Sequence, residues 1–259
     1  MAGTAVVTGA SSGIGAATVR RLVKDGFDVV AVARRADRLH HLARETGARA
    51  CRVDVTDADA VRRFTDELDS CDVLVNNAGG ALGADHVAAG SADDWEWMFS
   101  VNVMGTLRMT QALLPLLRAG AGGTVVTVTS TAAFTTYEGG GGYSAAKHAQ
   151  HALSETLRLE LCGEPIRVVE VVPGLVKTEE FAVNRMRGDR GRAAAVYEGV
   201  DRPLTADDVA ACVALAVGLP QHVNIDRLVV RPLAQAAQYR LHRGPLFDAA
   251  DPAARGAVR

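Results

Sequence analysis

The stretch Val6-Val7-Thr8-Gly9-Ala10-Ser11-Ser12-Gly13-Ile14-Gly15 constrains the chain most, because it joins an apolar run, a glycine turn and a helix start. Val6 and Val7 end the kind of short apolar run that a fully buried parallel strand shows. Gly9, Gly13 and Gly15 allow positive φ and a close approach of backbone to a bound group. A helix opening at Gly13 turns its free N–H groups and positive dipole end toward that place, which suits an anion such as a pyrophosphate. The spacing is G-x-x-x-G-x-G, so the dinucleotide fingerprint G-x-G-x-x-G is present in altered form. A glycine-rich turn of this kind also occurs without a ligand, and the residues downstream decide between the two.

Those residues alternate strand-like and helix-like segments, as a doubly wound parallel sheet requires. Helices are expected over 13–24, 36–46, 54–69, 93–118 and 143–161, and a last one, capped by Thr205-Ala206-Asp207-Asp208, to about Val217. Strands are expected over 27–33, 48–53, 72–75, 124–129, 166–172 and 227–231, which with the first makes seven. The fold class is therefore α/β, Rossmann-like, with a seven-stranded parallel sheet and helices on both faces. Residues 175–203 lack a convincing period and are rich in arginine, so they read as a mobile flap with at most short helices. We expect one catalytic domain over 1–232 and a loosely held or partner-bound tail over 233–259.

Length agrees, since 259 residues with 48% hydrophobic content suffice for one large α/β domain. The net charge of −2 has its acids and bases interspersed, leaving no electrostatic footprint for nucleic acid or an anionic membrane. The first strand begins almost at once, so no secretory leader is expected, and no apolar run reaches the length of a membrane span. Cys51, Cys71, Cys162 and Cys212 lie far apart without metal-ligand spacing and read as buried thiols of a reducing cytoplasm.

The motifs Thr8-Gly9-x-x-x-Gly13-x-Gly15, Asp54-Val55, Asn76-Asn77-Ala78-Gly79, Asn102, Ser130, Tyr143-x-x-x-Lys147 and Pro173-Gly174 stand at strand ends or on helices in one characteristic order. With them the chain resembles the short-chain dehydrogenase/reductase family over residues 2 to about 232. Within it, Ala33-Arg34-Arg35-x-x-Arg38-Leu39 and His222-Val223-Asn224-Ile225-Asp226 resemble the NADP-dependent branch that oxidises serine and 3-hydroxy acids. The resemblance implies an oxidoreductase that interconverts a secondary alcohol and a ketone or aldehyde with NADP(H). It implies Asn102, Ser130, Tyr143 and Lys147 as catalytic residues, with Asn102 orienting a water that relays protons to Lys147. The implied cofactor site comprises Gly9, Ser11, Ser12, Gly13, Ile14, Gly15, Arg34, Arg35, Asp54, Val55, Asn76, Ala78, Gly79, Tyr143, Lys147, Pro173, Gly174, Val176 and Thr178. Homo-oligomers, tetramers or dimers, are implied too.

The chemistry follows from the residues themselves. Tyr143 and Lys147 are four apart on one helix and share a face. A neighbouring ammonium favours the phenolate, so the pair is expected to lower the tyrosine pKa and act as a general acid/base. Lysine stands only at 24, 147 and 177 in a chain that uses arginine freely, which suggests that position 147 needs a compact donor able to reach a ribose hydroxyl. Ser130, 13 residues before Tyr143 and at a strand end, is placed to hold the substrate oxygen. The tract Gly139-Gly140-Gly141-Gly142 either leaves room for a bulky substrate or is a flexible turn. Trp95, Trp97 and Met98 are expected to pack the long helix against the sheet or a subunit, and His148 and His151 to serve packing or the surface rather than a metal. One of Arg185, Arg187, Arg190 and Arg192 is a candidate to clamp an anionic substrate group. An NAD-type fold places a carboxylate about 20 residues beyond the glycine turn; here Ala33, Arg34 and Arg35 fall there. Guanidinium groups suit a 2′-phosphate, with Ser11 or Ser12 as added donors, so NADP(H) is expected, with Arg34 carrying the larger share.

Two other functions remain open on the sequence. A catalytically silent dinucleotide-binding sensor typically lacks the tyrosine or lysine present here. A nucleotide-sugar epimerase or dehydratase usually has a larger C-terminal domain than the roughly 85 residues that follow Pro173.

Overall fold

The computed structural model describes residues 3–247. Seven parallel strands form one sheet in the order β3-β2-β1-β4-β5-β6-β7. They are β1 (Thr4–Thr8), β2 (Asp28–Ala33), β3 (Arg49–Arg52), β4 (Val73–Asn76), β5 (Gly123–Val128), β6 (Ile166–Pro173) and β7 (Arg227–Val230). Val6 of β1 lies opposite Val30 on one side and Leu74 on the other, so the strand order reverses at β1. The crevice beyond the carboxyl ends of β1 and β4 is where such a sheet places its ligands.

Successive strand residues point to opposite faces, and each face has its own core. Ala5 and Val7 pack with Val19 and Leu22 of α1 (Gly13–Lys24), Leu39 and Leu42 of α2 (Ala36–Thr46), and Val209 and Val213 of α9 (Ala206–Gly218). Val6 turns to the other side and joins Val61 and Phe64 of α3 (Ala58–Asp66) and Met109, Leu113 and Leu117 of α5 (Gly105–Ala119). The fully buried valines of β1, β5 and β6 each contribute about 1.5–3 kcal/mol of burial, which explains why these strands read as apolar runs rather than alternating ones.

One buried charge ties the far edge together. Arg167 on β6 is 7% exposed, and its guanidinium donates to the carbonyls of Ala216, Val217 and Leu219 at 3.2, 2.9 and 2.9 Å and to Thr124 Oγ1. A cation thus satisfies the last carbonyls of α9, where the helix dipole is negative.

Several expected boundaries shift for local reasons. Asp54 does not open α3; its Oδ1 accepts from the N–H and hydroxyl of Thr56, and Asp57 caps the helix through the N–H groups of Asp59 and Ala60. The helix expected over 93–118 is three pieces: α4 (Ala92–Phe99), a π-helical segment (Ser100–Met104) and α5. A five-residue widened turn cannot be read from apolar spacing, and such segments gather at functional sites. Residues 175–203 do hold two short helices, α7 (Phe181–Arg185) and α8 (Arg190–Ala195). Residues expected to belong to the tail form a hairpin of β8 (Gln235–Ala237) and β9 (Arg240–Leu241), and Gln235 is buried. The expectation for the remainder of the tail falls on residues 248–259, outside the described ones. Of the four cysteines only Cys71 is buried; Cys162 is exposed on the surface and corrects the uniform expectation.

Candidate active site

A cavity of about 660 Å³ opens at the β1/β4 crevice and runs from the glycine turn to α6 (Gly141–Glu160). Gly9, Ser11, Ser12, Gly13 and Ile14 line one end, beside Arg34, Arg35, Asp54 and Val55 from the ends of β2 and β3. Ala78, Gly79, Ser130, Tyr143, Lys147, Pro173, Gly174, Val176 and Thr178 line the remainder. Three expected residues are not on its wall: Gly15, Asn76 and Asn102. A side chain at Gly15 would collide with the Gly9 carbonyl, so this glycine serves the tightness of the turn rather than the cavity. Asn76 is buried behind the strand end, donating to Thr110 Oγ1 at 3.0 Å.

The turn itself is held by Thr8, whose hydroxyl accepts from the N–H groups of Asn77 and Ala78 at 3.0 and 2.9 Å. Gly9 and Gly13 take φ of 67° and 51°, values that favour glycine. No side chain caps the first turn of α1 and no acid lies in it, so its N–H groups face the cavity wall as an uncapped donor set.

At the other end, Ser130 lies two residues beyond β5 in extended backbone, and Tyr143 and Lys147 follow one turn apart on α6. Tyr143 is 9% exposed and Lys147 5%; the lysine Nζ sits 5.7 Å from the phenol ring centroid. Burial pushes the Tyr143 phenol well above its ordinary range, with Tyr137 adding to the rise while Ser130 and the Arg185 charge oppose it. Burial also pulls Lys147 down to about 7, against the nearby Glu170 carboxylate. This reverses the expected ordering, in which an ammonium lowers the phenol, because removing water from both groups is the largest influence on each. At neutral pH the site therefore presents a protonated phenol, suited to donating to a substrate oxygen.

Lys147 is held from below. Its Nζ donates to the Val128 carbonyl at 3.2 Å and to Gln150 Oε1 at 2.7 Å; Gln150 Nε2 donates to Thr106 Oγ1, which donates to the Asn102 carbonyl at 2.8 Å. Asn102 is fully buried in the π segment and braces the loop behind Gly79, donating to the carbonyls of Gly80 and Met98. Sequence reasoning missed Gln150 and Thr106, because the bond joining them spans 44 residues and leaves no local pattern.

The glycine tract is neither room for substrate nor a loose turn. A side chain at Gly139 would meet the Ala84 carbonyl at 2.5 Å, one at Gly140 the Tyr137 ring, and those at Gly141 and Gly142 the Trp95 ring. Trp95 and Met98 accordingly pack on the tract beside Tyr143, and Trp97 lies against Gly80 rather than serving only the sheet. His148 bonds within its own helix to the Ser144 carbonyl, and His151 pairs with the buried Glu170.

Residues 175–203 close over the cavity and are anchored at several points rather than free. Arg185 donates to the carbonyls of Gly83 and Gly139 at 3.1 and 2.8 Å and to the Tyr137 hydroxyl at 2.7 Å. Arg187 pairs with Asp94. Phe181 sets its ring edge-on to Tyr143, centroids 5.7 Å apart. Gln235 Oε1 accepts from the Leu175 N–H at 2.8 Å. At the adenosine end the bonds fall on Arg35 rather than Arg34: Arg35 donates to Ser11 Oγ at 2.9 Å and Ser12 Oγ at 2.8 Å. Among the described residues Arg34 makes no comparable bond.

Residues 3–187 match the family described as short chain dehydrogenase. An uncharacterized oxidoreductase of Mycobacterium tuberculosis is 53% identical over 242 residues, covering 93% of this chain and 96% of that one. A serine 3-dehydrogenase of Agrobacterium fabrum is 38% identical over 94% of this chain and 99% of its own. Among solved structures, the closed form of serine dehydrogenase complexed with NADP+ superposes with a TM-score of 0.87 at 37% identity, covering 93% of this chain and 99% of that one.

Proposed function

This chain belongs to the short-chain dehydrogenase family, and from that premise we propose that it is an NADP(H)-dependent oxidoreductase interconverting a secondary alcohol and its carbonyl compound. The observation that carries the reading is the convergence, in one cavity, of an uncapped helix N-terminus, a guanidinium beyond β2 and a buried phenol beside a lysine. These residues fit a phosphorylated dinucleotide. The first turn of α1 offers N–H donors to a pyrophosphate, and Arg35 with Ser11 and Ser12 offers donors to a 2′-phosphate. Bound there, the cofactor supplies or accepts the hydride.

This chain's own residues manage the proton. Ser130 orients the substrate oxygen, and Tyr143 donates a proton to it on reduction or, as the phenolate, takes one on oxidation. Lys147, tethered to Gln150, stabilises the phenolate that results. Phe181 and the anchored flap exclude water above the phenol. The serine 3-dehydrogenase among its relatives supports a small hydroxy acid as substrate. Arg185 and Arg187 are the two flap arginines that line the cavity and so can reach its carboxylate; Arg185 spends three of its five N–H groups on the protein, and Arg187 pairs with Asp94. We further infer a cytoplasmic homo-oligomer; the exposed apolar Leu215 of α9 and Val229 of β7 support the association.

Tyr143→Phe tests the reading. The variant should bind NADPH as the wild type does and lose at least about 99% of turnover, the scale of a lost general acid. A variant that kept a tenth of the activity would remove Tyr143 from the role.

A further inference from the structure

The adenosine end of the cavity contains a carboxylate where an anion-binding slot has no need of one. Glu180, the residue before α7, accepts from Arg35 Nη1 at 2.9 and 2.8 Å through its two oxygens. Its Oε1 also forms an ion pair with Arg38 Nη1 at 2.6 Å. Glu180 is a cavity residue, and its side chain is 21% exposed. Burial works against its charge, yet hydrogen bonds from Arg35 and Ser12 and the charges of Arg35 and Arg38 hold its carboxyl below the usual range. It therefore stays anionic throughout the neutral range.

A carboxylate and a phosphate monoester make the same charge-assisted bonds to a guanidinium fork. Arg35 is the second residue beyond β2, where the ribose 2′-substituent of a dinucleotide comes in this class of sheet. Two anions cannot share that fork without strong repulsion. We propose that Glu180 sets the affinity for the 2′-phosphate by competing for Arg35 and Arg38, so that a phosphate entering the slot displaces the carboxylate and loosens the flap at its α7 end. This rests on the NADP(H) reading above. The alternative, that Glu180 orients the arginines for the phosphate, has the opposite sign.

The experiment uses 2′,5′-ADP and 5′-AMP, which differ in the 2′-phosphate alone, with calorimetric binding to the full chain. In Glu180→Gln, 2′,5′-ADP should bind roughly three- to tenfold more tightly than in the wild type, the scale of two partly exposed ion pairs, with 5′-AMP unchanged. Glu179→Gln, next along the chain, should leave both affinities where they were. Trypsin cleavage after the flap arginines should speed up on adding 2′,5′-ADP to the wild type but not on adding 5′-AMP. Unchanged or weaker binding of 2′,5′-ADP by Glu180→Gln, or cleavage indifferent to it, overturns the competition. Equal binding of the two nucleotides by the wild type would instead overturn the NADP(H) reading.

Discussion

Lys147 carries a cost that its function explains. An ammonium with almost no exposure is held by one carbonyl and one amide oxygen, with the Glu170 charge in support, and burial brings it down to about 7 from an ordinary 10.5. In the unfolded chain the lysine keeps its proton up to about 10.5. The folded state therefore excludes a proton that the unfolded state binds between those two values, and stability should rise with pH across that window. Lys147→Met removes this penalty. Its melting temperature relative to wild type should be higher at pH 6 than at pH 10, while turnover is lost. A difference independent of pH would show that the buried charge is not destabilising. Gln150 works on the same group from below. Gln150→Leu should move the pH dependence of kcat by removing a neutral acceptor from the ammonium, and Gln150→Glu should move it the other way. Unmoved profiles in both would leave Gln150 with packing alone. The Tyr143-x-x-x-Lys147 pair was legible in the sequence because both members lie on one helix face. The reversed ordering of their pKa values was not, since burial depends on α4, the flap and β5 closing around them.

At the scale of elements, the π segment decides what Asn102 can do. One widened turn separates α4 from α5 and leaves the Asn102 carbonyl accepting from Thr106, which links it to Gln150 and Lys147. Apolar periodicity runs on across the break, so the sequence suggested a single helix. The segment over 175–203 was rightly aperiodic, but its restraint comes from single long-range bonds of Arg185, Arg187 and Glu180 that no spacing announces. At the opposite edge, Arg167 closes the end of α9 with three carbonyl bonds. Arg167→Met should cost about 2–4 kcal/mol of unfolding free energy, because it leaves buried carbonyls unpartnered. A chemical-denaturation midpoint corresponding to a loss below about 0.5 kcal/mol would mean that water replaces the guanidinium without penalty.

For the molecule as a whole, the sheet was the most legible part. Valine-rich runs marked six of the seven strands, Gly47 and Asp54 bracketed the valine-free β3, and the glycine turn located the crevice. What stayed hidden is what closes the crevice: Glu180, Gln235 and the packed glycine tract come from remote parts of the chain and meet only when the flap and the β8-β9 hairpin fold over the sheet. The sequence offered Arg34 and Arg35 as a pair with Arg34 foremost, while their division of labour depends on which guanidinium turns toward Ser11 and Ser12, and that is Arg35. The most direct test of the account is the cofactor dependence of turnover. Rates of oxidation of serine and a panel of 3-hydroxy acids, and of reduction of the matching carbonyl compounds, are followed by nicotinamide absorbance with each cofactor. One or two charge-assisted bonds to the 2′-phosphate, each about 1.5–3 kcal/mol, predict kcat/KM roughly tenfold to several hundredfold higher with NADP(H) than with NAD(H). Equal values, or a preference for NAD(H), would contradict it.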